Sequence, residues 1–232
     1  MKIGLIGDSL TEGRPGISFA KILLEKFPHH TFHNLGKPGE SVKSLYTRLS
    51  KTELDSDFDL AFLWIGVNDV YSKLLGVQAQ PVAENQDEFR EFYRKSLELV
   101  LASSKKTVAV TPALIGEELT NASNRELREL NALIQSVIRL HPNVHFLNLQ
   151  SVFEEHLSDV SCSDYISTKV MRVMMDVLFY KKPASIDRLS EKRGLHFTLD
   201  GIHLNSAGAQ IVADAYSAEI NQLGFERIDA LH

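Results

Sequence analysis

Short apolar runs alternate along the chain with stretches of helical periodicity. Residues 3–6, 31–35, 60–65, 107–110 and 144–149 read as five strands, mostly without polar alternation, the pattern of strands covered on both faces. Between them lie amphipathic segments. Residues 18–27 place Phe19, Ile22, Leu23 and Phe27 on one stripe, and residues 88–101 do the same with Phe89, Phe92, Tyr93, Leu97, Val100 and Leu101. After the fourth strand, Ser123 and Glu126 form a capping box ahead of Leu127, Leu130, Ile134, Val137 and Ile138, and Pro142 stops that helix. Strand alternating with helix across short turns predicts an α/β fold, a three-layer α/β/α sandwich with a parallel sheet and right-handed crossovers. A flavodoxin-like strand order, 2-1-3-4-5, sets the first strand between the second and third.

One stretch breaks the rhythm. Between the fifth strand and Asp200 lie about 40 residues, far more than a usual connection. Within them, residues 166–180 carry Ile166, Val170, Val173, Met174, Val177 and Leu178 on one face, widened by Met171, Met175, Phe179 and Tyr180. That pattern predicts a helix buried on more than one side. It reads equally as an extra core helix, as a lid or acyl-pocket wall, or as a contact between copies in a homo-oligomer. The expected organisation is one domain over 1–232 with an inserted helical segment at about 155–195.

Composition narrows the function. Of 232 residues, 44% are hydrophobic and 24% charged, so a packed core is expected and disorder is not. The net charge of -5, with cations interleaved among acids, leaves no basic stripe, so nucleic acid is not the expected partner. No run is long enough for a spanning helix. Cys162 stands alone, which rules out an intrachain disulfide and a cysteine-rich metal site and reads as a loop or packing thiol. The first residues are already strand-like, with no charged leader, so a cytoplasmic location is expected.

The chemistry gathers where strands run out. Open parallel sheets bind ligands beyond the carboxyl ends of their strands. Ser9 follows the first strand in Gly7-Asp8-Ser9-Leu10, Gly39 follows the second, and Asn68 follows the third in Gly66-Val67-Asn68-Asp69. Ser9 offers a hydroxyl nucleophile, which needs a base, a group to orient that base and donors for an oxyanion. Asn68 suits the last task because its amide N–H carries no titratable charge, whereas Gly39 taken alone reads as a turn glycine. Among nine histidines, His203 is distinguished by Asp200 three residues earlier and by the helical stripe Ile211, Val212, Ala215, Tyr216 and Ile220 that follows, capped by Asn205 or Ser206. A second such pair, Asp229 with His232, lies at the frayed end of the chain. His29, His30 and His33 fall on opposite faces of a strand and do not read as a shared metal site.

These four blocks, in order and spacing, resemble those of the SGNH hydrolase superfamily, the GDSL esterases and lipases, over most of the chain. The resemblance implies an α/β/α sandwich with a five-stranded parallel sheet. It also implies Ser9 as nucleophile, His203 as general base and acid, Asp200 as the orienting carboxylate, and an oxyanion hole made by the backbone N–H groups of Ser9 and Gly39 with the Asn68 amide. Gly36 is the other glycine of the second block, but Gly39 fits the position before an acidic residue better. The long segment before Asp200 departs from the family pattern. The function implied is carboxylic ester hydrolysis through an acyl-enzyme on Ser9, with no metal or organic cofactor, on a small-molecule, lipid or carbohydrate ester. The alternatives are an acyltransferase using the same triad and a non-catalytic flavodoxin-like binding protein. Neither a Gly-x-Gly-x-x-Gly nor a Walker-type phosphate loop supports the last of these.

Overall fold

In the computed structural model, five parallel strands form one sheet in the order β2-β1-β3-β4-β5. They are β1 (Lys2–Gly7), β2 (Thr31–Gly36), β3 (Leu60–Trp64), β4 (Thr107–Val110) and β5 (Val144–Leu147). The structure describes residues 1–229 apart from 53, 55, 56, 76–79, 170, 172–174, 177, 178 and 181, and the side chains of 225–229 lie outside the description. The expected strands and their order are present. Burial departs from expectation at the edges: β1, β3 and β4 are buried almost throughout, while β2 is exposed or half-buried at every position and His145 and Phe146 of β5 are half-buried. The cause is position, since β2 and β5 are edge strands with a neighbour on one side only.

Nine helices are described: α1 (Ser9–Glu12), α2 (Phe19–Lys26), α3 (Val42–Lys51), α4 (Val67–Tyr71), α5 (Gln86–Ala102), α6 (Ala122–Ile138), α7 (Leu149–Leu157), α8 (Pro183–Lys192) and α9 (Ser206–Asp229). Helix α9 packs against α2 and α7, and α5 packs against α3 and α6, so the sheet lies between two helical layers. Short polar caps set the starts. Asn85 accepts from the Glu88 N–H at 2.9 Å, and Ser41 and Ser44 exchange a reciprocal capping box at the head of α3. Asn121, not Ser123, caps α6, accepting from the Asn124 N–H at 2.7 Å. Asn124 is itself recruited inward, its amide bonding the carbonyls of Gly116 and Glu118, which fixes the loop and moves the cap two residues earlier.

The core beneath the last helix is aromatic. Tyr216 of α9 stacks on Phe62 of β3 with centroids 4.2 Å apart and leans on Phe19 of α2 at 4.9 Å. This contact docks α9, and with it the loop that precedes α9, onto the middle of the sheet.

The long segment before Asp200 differs from expectation. Residues 166–169 carry no helix; Met171, Met175, Asp176 and Phe179 are helical as expected, but Met171, Met175 and Phe179 are exposed rather than buried. Val170, Val173, Met174, Val177 and Leu178, the rest of the predicted apolar face, lie outside the described residues. Among the described residues of 166–180, Ser167 and Asp176 are buried.

Candidate active site

Gly7 at the end of β1 is paired with Gly36 of β2 on one side and with Trp64 of β3 on the other. Three strands therefore end at one level, and the loops leaving them meet above it. Asp8 caps α1, its Oδ1 accepting the Leu10 N–H at 2.9 Å. The single turn that follows holds Ser9 at its first position, buried to 6% exposure.

From the second strand end, Gly39 occupies a turn at φ 73, a conformation natural to glycine, with open space where a Cβ would project. The next residue is held hard in place. Glu40 is buried and accepts from Arg48 Nε and Nη2, both at 2.7 Å, while the same Nη2 also bonds the Leu35 carbonyl. Its carbonyl oxygen accepts from Asn68 Nδ2 at 3.0 Å. Asn68, on α4, also donates to Asp8 Oδ2 at 3.2 Å. Asp8 and Glu40 thus orient the amide between the first and second strand ends. The neighbouring Asp69 accepts the Val42 N–H at 3.0 Å and so ties α4 to α3.

The fourth block closes the site from the far end of the chain. Ser9 Oγ lies 3.1 Å from His203 Nε2, and His203 Nδ1 lies 2.8 Å from Asp200 Oδ2. Asp200 Oδ1 accepts the backbone N–H groups of Ile202 and His203 at 3.1 and 2.8 Å. With Nδ1–H committed to the carboxylate, Nε2 turns a lone pair toward the serine. Gly201 separates the two at φ 92, and a Cβ there would come within 2.7 Å of the Tyr165 carbonyl oxygen. Asn205 caps the helix that follows, accepting the Gly208 N–H at 3.0 Å.

Electrostatics match this geometry. Burial alone would push the Asp200 carboxyl up, but the charge of His203 and the hydrogen bonds from its ring and backbone and from Ile202 outweigh it and hold the group below the usual aspartate range. Burial likewise works against the His203 imidazolium, yet Asp200 first, then Asp8 and Asp176, raise it above the ordinary histidine value. Asp8 has no such compensation. Burial, only partly offset by the Leu10 N–H and the attraction of His203, drives it up to about 7. Asp69 is raised to about 7 for the same first cause.

Sequence reasoning missed the supports. Glu117, wholly buried after β4, accepts the N–H groups of His196, Phe197 and Thr198 at 2.6, 2.8 and 2.8 Å and the Thr198 hydroxyl at 2.8 Å. It fixes the strand-like stretch that pairs Thr198 with Leu204 around the Asp200–His203 turn. An acid closing an apolar stretch, Ala113-Leu114-Ile115-Gly116-Glu117, was the available signal. Of the other histidines, His30 stacks on Phe27 and His33 meets the edge of Phe58. His232 lies outside the described residues. Cys162 is a half-buried loop thiol. Among the described residues no group of three or more His, Cys, Asp or Glu could hold a metal ion, and no helix is long and apolar enough to cross a membrane.

Comparison with known proteins converges on one group. No curated protein sequence matches the chain. Among solved structures, an alpha/beta hydrolase enzyme from the metagenome of Lake Arreo, Spain, superposes with a TM-score of 0.68 at 19% identity, over 96% of this chain and 94% of that one. The acetyl xylan esterase AlAXEase gives a TM-score of 0.67 at 20% identity, over 95% and 100%. The acetylxylan esterase Axe2 from Geobacillus stearothermophilus gives 0.66 at 20%, over 96% and 94%. Three structures of catalytic mutants of Axe2 replace a serine, an aspartate and a histidine by alanine. The model of the GDSL-like Lipase/Acylhydrolase family matches residues 5–211, nearly the whole chain, so this protein belongs to that family and is a serine carboxylic ester hydrolase.

Proposed function

We propose that Ser9, His203 and Asp200 are the catalytic triad of this hydrolase and that it works through an acyl-enzyme. The observation that carries the reading is the unbroken chain from Ser9 Oγ through the imidazole to Asp200, at 3.1 and 2.8 Å in a buried setting. His203 Nε2 takes the hydroxyl proton as Ser9 Oγ attacks the ester carbonyl. Asp200 keeps the imidazole in the required tautomer and stabilises its protonated form. The oxyanion is held by the backbone N–H groups of Ser9 and Gly39 and by the Asn68 amide, which turns one of its two N–H groups from its present acceptor, Asp8 or the Glu40 carbonyl, to the oxyanion. The imidazolium then protonates the departing alcohol, and water, deprotonated by the same nitrogen, releases the acid and restores Ser9. None of these steps requires a metal or an organic cofactor.

For the substrate we propose a short acyl ester, an acetylated carbohydrate being the class taken by two of the structural neighbours. The exposed Met171, Met175 and Phe179 do not supply the buried acyl wall that a long chain needs. The test is hydrolysis of p-nitrophenyl acetate, octanoate and palmitate by wild type and Ser9→Ala, with fluorophosphonate labelling located by mass spectrometry. Acetate turnover that vanishes in Ser9→Ala, with label on Ser9 alone, is the expected result. A Ser9→Ala protein that turns over like wild type refutes the nucleophile, and a preference for palmitate refutes the short acyl group.

A further inference from the structure

The segment before Asp200 touches the site directly. Ser167 donates its backbone N–H to the Asp200 carbonyl at 2.8 Å, and the Ser167 carbonyl accepts the buried hydroxyl of Tyr71. Tyr71 ends α4, the helix that carries Asn68. Ile166, beside it, packs against Gly116, and the Tyr165 carbonyl presses on Gly201 so closely that no side chain fits there. A second tie lies alongside. Arg193, at the end of α8, donates from Nη1 to the Leu199 carbonyl at 2.8 Å, forms an ion pair with Asp176 at 2.9 Å, and lies over the Tyr165 ring at 5.0 Å. Both members of that pair are nearly buried, at 10% and 6% side-chain exposure. A buried ion pair is poor value as a source of stability, because desolvation offsets the attraction, so its presence calls for another account.

We infer that residues 165–167, held by Tyr71 on one side and by Arg193 on the other, are a strap that sets Asp200 in register with the oxyanion helix. Leu199, Asp200 and Gly201 are each gripped from this strap or through Arg193. The Asp200 side chain is committed to His203 and the backbone N–H groups of its own turn, so its position relative to Asn68 depends on its backbone. Two bonds in series, Tyr71 hydroxyl to Ser167 carbonyl and Ser167 N–H to Asp200 carbonyl, span that gap. Tyr71 and Arg193 are positioning residues. This inference rests on the triad reading above.

The experiment compares full-length wild type, Tyr71→Phe, Arg193→Met and Arg193→Lys on p-nitrophenyl acetate, separating kcat from KM, with thermal melts and Ser9→Ala as control. Tyr71→Phe removes one hydroxyl without changing shape and is expected to lower kcat about tenfold, the scale of a reacting group slightly displaced, with KM within about twofold. Arg193→Met is expected to lose at least as much, and Arg193→Lys, which restores a cation beside Asp176 and Leu199, to recover most of it. A merely stabilising role would lower the melting temperature and leave kcat at low temperature alone. Folded Tyr71→Phe and Arg193→Met proteins with kcat within twofold of wild type, or losses confined to KM, overturn the strap while an inactive Ser9→Ala leaves the triad standing. Failure of both variants to fold also overturns it, by assigning these groups to stability. An active Ser9→Ala removes the triad reading and the strap together.

Discussion

Asp8→Asn separates what the first block contributes to stability from what it contributes to catalysis. Asparagine keeps the size and can still cap α1 through its carbonyl oxygen. Its amide, however, turns a donor toward the Asn68 Nδ2 that Asp8 Oδ2 now receives at 3.2 Å. In the folded protein burial lifts Asp8 from the usual 3.8 to about 7. Between those values the unfolded chain releases a proton that the native state retains, so this group makes stability fall as pH rises and reaches its full cost above pH 7. At 1.36 kcal/mol per pH unit the cost is about 4 kcal/mol, an upper figure because solvent and relaxation reduce it. Urea unfolding of both proteins at pH 5 and pH 8 should therefore show the variant gaining on wild type at the higher pH by a sizeable part of that amount. The same variant should lose kcat, because an Asn68 amide pushed out of line gives up an oxyanion donor worth about 2.7 to 4 kcal/mol at the limit. A stability difference that does not change with pH refutes the buried, neutral Asp8. An unaltered kcat at pH 8 refutes its hold on Asn68.

Four further outcomes follow from the site. Asn68→Ala should lower kcat by about 10² to 10³ with the fold intact, measured on p-nitrophenyl acetate, and a loss under tenfold would remove Asn68 from the oxyanion hole. Because His203 is raised above the ordinary value and must be neutral to act as base, kcat/KM should reach half its maximum above about pH 6.5; Asp200→Asn, which leaves burial unopposed by its main partner, should move that midpoint down and cut kcat on the order of 10⁴-fold. The Asp200–His203 interaction stabilises fully between the unfolded aspartate and histidine values and is lost as pH falls through the lowered Asp200 value or rises through the raised His203 value, so the unfolding penalty of Asp200→Asn should be greatest between about pH 4 and 6.5. Glu117→Ala leaves three backbone donors and a hydroxyl without their acceptor and should cost about 3 to 5 kcal/mol in urea unfolding.

The parts of this protein that read easily from sequence are those set by local rules. Apolar runs of four to six residues betray strands buried on both faces, and β1, β3 and β4 obey; β2 was equally visible as a strand, yet its exposure depends on having no neighbour on one side. Helix α3 escaped although Val42, Leu45 and Leu49 carry the right spacing, and α4 is too short for any periodicity to register. The pairing of Asp200 with His203 was legible because three residues and a turn suffice to join them. By contrast, Asp8 with Asn68, Glu117 with residues 196–198, and Tyr71 with Ser167 join side chains to groups 60 or more positions away, through contacts that no local pattern encodes. The apolar pattern of residues 166–180 misled about burial for a related reason. Helical spacing says which side chains share a face, but not whether that face meets protein, and Met171, Met175 and Phe179 meet solvent.

Ser9 and His203 are 194 positions apart. During synthesis at roughly 5 to 20 residues per second, the serine emerges roughly 10 to 40 s before the histidine that would activate it. Until then it is an ordinary alcohol, whatever the first three strands have already built. On the triad reading, reactivity needs the loop that the Tyr216–Phe62 contact docks over the serine, and that loop is made last. A chain that ends before that loop lacks the base and is inert toward the esters around it, whatever its first strand ends have built.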